Sequence, residues 1–196
     1  MTSLLLFSGS LRRHSYNGLL TDEVAGRLSE RCRVDVLRPG EVDLPLFDQD
    51  LEQDPAVVAK VAAIHARFRA AEGFVIASPE YNGQLTSYLK NTVDWVSRLQ
   101  RIGPGFDNPF LNRPVLLCSV TNGWTGGVLG LQHARALFSY LGALVLAEQI
   151  TVPHVEQILD QEGGFAFDPF FALHVEQILQ HLLLLAAREK DDAGTR

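Results

Sequence analysis

The sequence has no closely spaced cysteines: its two, Cys32 and Cys118, lie far apart and form neither a CxxC nor a metal-ligand spacing. That excludes a disulfide scaffold, a zinc module and a dithiol oxidoreductase, and Cys118, set in an apolar run, reads as a buried reduced thiol of a cytoplasmic protein. Positive charge is not in excess either. The formal net charge is −6, which argues against nucleic acid or an anionic membrane as partner. Long apolar runs are missing: the longest aliphatic stretch near the C-terminus, residues 182–187, is too short to span a bilayer. The N-terminus lacks the basic region and cleavage site of a signal peptide, so a soluble protein is expected. GxxxxGK[ST], GxGxxG, GxSxG and HExxH are all absent, which sets aside P-loop NTPases, serine hydrolases of the elbow type and zincins. The six histidines show no ligand spacing. No nucleophile–base pair emerges.

What is present is a chain of 196 residues, 46% hydrophobic and 20% charged, enough for one domain with a sizeable core. That domain is expected over residues 1–188, with a charged tail over 189–196. Short apolar runs at residues 3–7, 34–37, 73–77, 115–120 and 144–150 predict five buried strands. Helical patterns lie between and after them: residues 16–30, 55–71, 85–98, 128–141 and 169–188. Asp54-Pro55 and Asp168-Pro169 are helix starts, with Asp as N-cap and Pro at the first helical position. Gly142 suits the residue just past a helix end. A Gly/Pro/Asn-rich loop is expected over 103–114. Strands alternating with helices predict a parallel sheet covered on both faces, a three-layer α/β domain whose ligand site lies at the carboxyl ends of the strands. The hexapeptide HVEQIL occurs at 154–159 and again at 174–179. A single recurrence is coincidence rather than a repeat architecture.

Three polar loops fall at that edge. After the first strand come Gly9-Ser10-Leu11-Arg12-Arg13-His14-Ser15-Tyr16-Asn17. Free N–H groups, the Ser10 and Ser15 hydroxyls, the Arg12 guanidinium and the positive end of the next helix suit a phosphate. An ordinary turn with a capping Ser15 fits the same residues. After the third strand, Pro79-Glu80-Tyr81-Asn82-Gly83 offers a rigid backbone, an aromatic face and an amide, which suits a flat heteroaromatic ring or simply makes a surface turn. After the fourth, residues 119–127 combine Ser119, Asn122 and Gly123 with Trp124 and two further glycines. These glycines permit a ligand to approach the backbone, and Trp124 either flanks the site or covers core. The helix carrying Leu89-Lys90-Asn91-Thr92-Val93-Asp94-Trp95 packs on the core or forms a subunit interface.

In order and spacing, Gly9-Ser10-Leu11-Arg12-x-x-Ser15-x-Asn17, Pro79-Glu80-Tyr81-Asn82 and Leu89-Lys90-Asn91-x-x-Asp94-Trp95 resemble the NADPH-dependent FMN reductase family of flavodoxin-like quinone, chromate and azo-dye reductases. The resemblance runs from about residue 4 to 150. It implies a sheet in the order 2-1-3-4-5 and FMN held non-covalently. Ser10, Arg12, Ser15, Tyr16 and Asn17 would hold the cofactor at its phosphate end. Pro79, Glu80, Tyr81 and Asn82 would line the ribityl chain and ring, and Ser119, Asn122 and Gly123 would close the other side. It implies hydride passing from NADPH or NADH through FMN to a small acceptor: a quinone, a flavin, an azo compound or a metal oxyanion. The protein would be a homodimer or homotetramer. A flavodoxin-like carrier that binds FMN without oxidising NAD(P)H is the alternative. The chain departs from the family at Leu85-Thr86-Ser87-Tyr88, where Tyr88 is expected to narrow the space over the ring. The C-terminal third carries no family motif.

Overall fold

The computed structural model describes residues 1–98 and 107–193. Its sheet has five strands, β1 (Ser3–Ser8), β2 (Arg33–Leu37), β3 (Gly73–Ala77), β4 (Pro114–Val120) and β5 (Leu144–Val152), all parallel in the order β2-β1-β3-β4-β5. The helices are α1 (Tyr16–Leu28), α2 (Pro55–Arg69), α3 (Ser87–Arg98), α4 (Val128–Tyr140) and α5 (Pro169–Ala193). The expected architecture is therefore present, with boundaries shifted by a few residues. The largest shift is at α5, which continues to Ala193, five residues beyond the expected helix end; β5 continues to Val152. Residues 194–196 of the expected tail, and 103–106 of the expected loop, lie outside the described residues.

The central strands are continuous apolar runs because both of their faces are covered. Leu4 and Leu6 of β1 point into a core shared with Leu20 and Val24 of α1 and Ile178 and Leu182 of α5. Leu5 and Phe7 point the other way, onto Phe68 of α2, Val93 of α3 and Phe138 of α4. That second core carries a relay of rings, in which Phe68, Phe74, Phe110 and Phe138 meet at centroid separations of 5.5–5.6 Å. Such tilted and edge-on pairs add to the burial energy of the rings. Both cysteines are buried, and burial pushes the Cys118 thiol up to about 12, leaving it unreactive.

Local signals set the helix starts. The Asp54 carboxylate accepts from the N–H groups of Ala56 and Val57, and Asp168 accepts from Phe170 and Phe171. At the other end of α4, Gly142 takes a left-handed φ of 82°. Residues 169–188 of α5 are long and apolar enough, by length and composition, to cross a membrane. One face of this stretch, Val175, Ile178, Leu179, Leu182 and Ala186, is buried in the first core. The recurring hexapeptide has no common structure: its first copy runs through a single 3-10 turn at Val155–Gln157, and its second lies inside α5.

Candidate functional site

The strand order reverses direction between β1 and β3, and the loops leaving β1, β3 and β4 meet above that point. Ser10, Arg12, Ser15, Tyr16, Asn17, Pro79, Glu80 and Tyr81 together line one open cavity of about 190 Å³, completed by Val120 and Thr121 at the end of β4. Four other residues selected from the sequence lie off this cavity. Asn82 forms the tip of the β3 loop, Asn122 and Gly123 lie further along the β4 loop, and Ser119 is fully buried beneath it. Val120 and Thr121 fall inside the 119–127 segment marked by the sequence but are not singled out in it, where Ser119, Asn122 and Gly123 carry the stronger polar and glycine signals.

The β1 loop is held at its two ends and open between them. Gly9 donates to the Ala77 carbonyl at 2.8 Å, and its own carbonyl accepts from the Thr86 hydroxyl at 2.6 Å. Thr86 also accepts from the Leu89 N–H at 3.1 Å, so one buried hydroxyl both caps α3 and pins the loop. At the far end Ser15 caps α1 by accepting from Gly18 N–H at 2.9 Å. Between them only the Arg12 N–H is taken, by Ser10 Oγ at 3.3 Å. The N–H groups of Leu11, Arg13 and His14 have no protein acceptor among the described residues. His14 reaches this path through a left-handed φ of 55°. The Arg12 guanidinium lies over the Tyr16 ring, 5.0 Å from its centroid, which parks the cation at the cavity mouth. Free N–H groups, a guanidinium and the N-terminus of α1 thus gather positive potential in a chain of net negative charge.

Asn17 has a different place from the others. Its side chain is buried, donating to the Val120 carbonyl at 2.9 Å and accepting from the Val120 N–H at 3.2 Å. The amide thus stands in for a neighbouring strand at the end of β4 and locks α1 to it. Tyr16 reaches out of the cavity to Glu156, its hydroxyl donating at 3.3 Å.

The β3 loop is closed on itself. Tyr81 and Gln84 exchange N–H···O bonds of 3.0 Å around Asn82 and Gly83, whose φ values are 54° and 74°. Asn-Gly is the preferred pair for a two-residue turn that needs positive φ twice. Glu80 accepts from the Gly130 N–H at 2.9 Å in the first turn of α4, where the helix dipole favours a carboxylate. In the β4 loop Gly127 has φ 83°, and a Cβ there would sit 2.0 Å from Ser119 Oγ. Its glycine character serves packing against Ser119 inside the chain. Trp124 is 81% exposed, so it covers no core.

The remaining motif is internal. Asn91 and Trp95, one turn apart on α3, both donate to the Pro45 carbonyl at 2.9 and 2.8 Å, and Asn91 accepts from the Phe47 N–H at 2.7 Å. Leu89-Lys90-Asn91-x-x-Asp94-Trp95 therefore fastens the loop after β2 to α3. Tyr88 does not narrow the cavity. It packs on Phe7 at 5.5 Å and donates to the Pro39 carbonyl at 3.3 Å, away from the β3 and β4 loops, because the helix turns its side chain toward the second core.

A parallel α/β sheet in this order, with the loops of β1, β3 and β4 gathered at its switch point, is the architecture of the flavodoxin-like class. The family model for NADPH-dependent FMN reductase matches residues 2–157, and the chain belongs to that family. The quinone reductase of Escherichia coli (strain K12) is 36% identical over 138 residues, 70% of each chain. The probable NADPH:quinone oxidoreductase 1 of Oryza sativa subsp. japonica is 38% identical over 187 residues, covering 92% of this chain and 89% of that one. Among solved structures, the flavoenzyme NAD(P)H:(acceptor) oxidoreductase FerB from Paracoccus denitrificans superposes with a TM-score of 0.80 over 96% of this chain and 99% of that one, at 20% identity. The chain is thus an FMN- and NAD(P)H-dependent oxidoreductase.

Proposed function

We propose that this protein, working in the cytoplasm as a homodimer or homotetramer, reduces small quinones with electrons from NAD(P)H. The observation that carries the site assignment is the meeting of eight residues from the β1 loop, the first turn of α1 and the β3 loop around one cavity at the β1/β3 switch point. The donor set fits FMN: free N–H groups and Arg12 for a dianionic phosphate, beside a rigid, Pro-led wall for a flat ring. When bound, the flavin supplies the two-electron chemistry. Ser10, Arg12 and Ser15 hold the phosphate. Asn17 keeps α1 against β4 so that the phosphate and ring walls stay in register. Pro79, Glu80, Tyr81 and Asn82 border the ring, and the residues of the β4 loop, Asn122 and Gly123 among them, close the opposite side. Ser119 supports that loop from below. The FMN-binding unit spans residues 1–188, since the α5 side chains that complete the core shared with α1 end at Ala186.

Quinone as acceptor is supported by the names of the relatives, several of which are quinone reductases. The half-exposed Tyr81 and the exposed Leu129, which lies near the Gly83 turn, provide an apolar rim suited to such a ring. The same exposed side chains support association of copies. The free, buried thiols accord with a reducing compartment. Anaerobic mixing of the FMN-loaded protein with NADPH should bleach the flavin absorption, and a benzoquinone should restore it. An unchanged oxidised spectrum would leave only the electron-carrier reading.

A further inference from the structure

On the other side of the β1 loop lies a second cavity, about 340 Å³, between α1 and the end of β2. The loop is the ridge between the two cavities, since Ser10, Arg12 and Ser15 line both. Its walls are of two kinds. Leu11, Leu19, Val36 and Pro39 are apolar, while Arg13, His14 and Arg38 bring cationic or proton-binding groups. Arg38 pairs with Asp22, also in the wall, at 2.6 Å. Arg13 is exposed and has no carboxylate partner among the described residues. Once Arg38 and Asp22 offset each other, and with the Arg12 guanidinium turned over Tyr16 toward the other cavity, Arg13 leaves this one cationic.

An independent observation comes from Ser8, the last residue of β1. It continues the row of Leu4 and Leu6 that faces α1, is 4% exposed, lines this cavity, and its hydroxyl has no hydrogen-bond partner. A buried hydroxyl left unpaired costs stability, so its persistence points to a polar group that meets it. The other hydroxyls nearby are engaged: Thr21 donates to the Asn17 carbonyl and Ser15 caps α1. An apolar slot with one inward hydroxyl and a cationic rim is suited to a nucleoside carrying a phosphate. The cavity is also of the size that ligand pockets have.

We propose that this cavity receives the adenosine end of the pyridine nucleotide, and that Arg13 selects the 2′-phosphorylated form. This rests on the NAD(P)H-dependent reading above and makes NADPH the preferred donor. Ser8 meets the base or ribose, and Asp22 is placed to accept from a ribose hydroxyl. The geometry puts this contact next to the flavin phosphate loop, so one ridge serves both nucleotides from opposite sides.

The test is calorimetric titration of the FMN-loaded protein with adenosine 2′,5′-bisphosphate and with adenosine 5′-monophosphate. The bisphosphate should bind about ten-fold more tightly, the scale of one charge-assisted contact to a phosphate. Arg13→Ala should bring that ratio down to about three or less, and Arg13→Lys should restore most of it. Ser8→Ala should weaken both probes by the same factor, leave the ratio intact, and raise the melting temperature of the ligand-free protein. Equal binding of the two probes, or an unchanged ratio in Arg13→Ala, overturns the proposal. If that happens while the protein still takes up FMN and is bleached by NADPH, the flavin reading stands and only this cavity's role falls. A protein that takes up no FMN fails at the earlier reading instead.

Discussion

The β1 and β3 loops border one cavity and are built in opposite ways. The β1 loop leaves the N–H groups of Leu11, Arg13 and His14 without protein acceptors and anchors itself only at Gly9 and Ser15. The β3 loop satisfies its own backbone across Tyr81 and Gln84 and ties its carboxylate to α4. One is a set of donors held ready; the other is a finished wall. On the proposed reading, electrostatic capture and shape recognition are divided between two segments, and substitutions in them should separate affinity from stability.

The largest effect should come from the joint behind both loops. Asn17→Ala leaves the buried N–H and C=O of Val120 unpaired, a loss of about 2–4 kcal/mol for two such groups. Urea unfolding should show it even without ligand; a loss under 1 kcal/mol would mean that the amide is not the clamp. Next is Arg12→Ala in the open loop. FMN affinity should fall about 10- to 100-fold, as for a charge-assisted phosphate contact, while the melting point of the empty protein stays put. Fluorescence titration with FMN reads the first and calorimetry the second. Glu80→Gln in the closed loop should do the reverse. It removes a carboxylate from the α4 N-terminus, costing about 0.3–1 kcal/mol of stability, and shifts FMN affinity less than Arg12→Ala does. If Glu80→Gln weakens FMN as much as Arg12→Ala, the division between the loops is wrong.

The smallest effect lies away from both and serves as a control on pH. Burial lowers the His65 pKa from its usual 6.5. The unfolded chain therefore takes up the proton first, and stability present above about pH 6.5 declines as the pH falls through that value toward the folded-state pKa. His65→Gln should flatten that part of the stability profile. Both loops should be indifferent to it, because His65 sits on α2 against Asp107.

Much of this architecture can be read in the sequence because its signals are local. Asp54-Pro55, Asp168-Pro169 and Gly142 each act within four residues, and the apolar runs of β1, β3 and β4 reflect burial on both faces. The loops of the site were legible as polar breaks after strands. What each residue does inside them was not. Asn17 meets Val120 across 103 positions, Thr86 meets Gly9 across 77, and Glu80 meets Gly130 across 50. No periodicity or cap rule encodes such pairs. Tyr88 illustrates the same limit: its orientation follows from which face of α3 is buried, and the neighbouring residues alone do not show that Phe7 waits there.

The hydroxyl of Thr86 has a consequence for timing. A trans peptide points its C=O and its N–H in opposite directions, so holding the Gly9 carbonyl down also turns the Ser10 N–H the other way. Folding of α3 thereby sets the orientation of a peptide plane in a loop 77 residues earlier in the chain. At the proposed phosphate site, an arriving phosphate finds that dipole already set and need not wait for a peptide flip. Thr86→Val would keep the shape of the side chain and return that rotation to the binding step, where it would appear as a slower association rate.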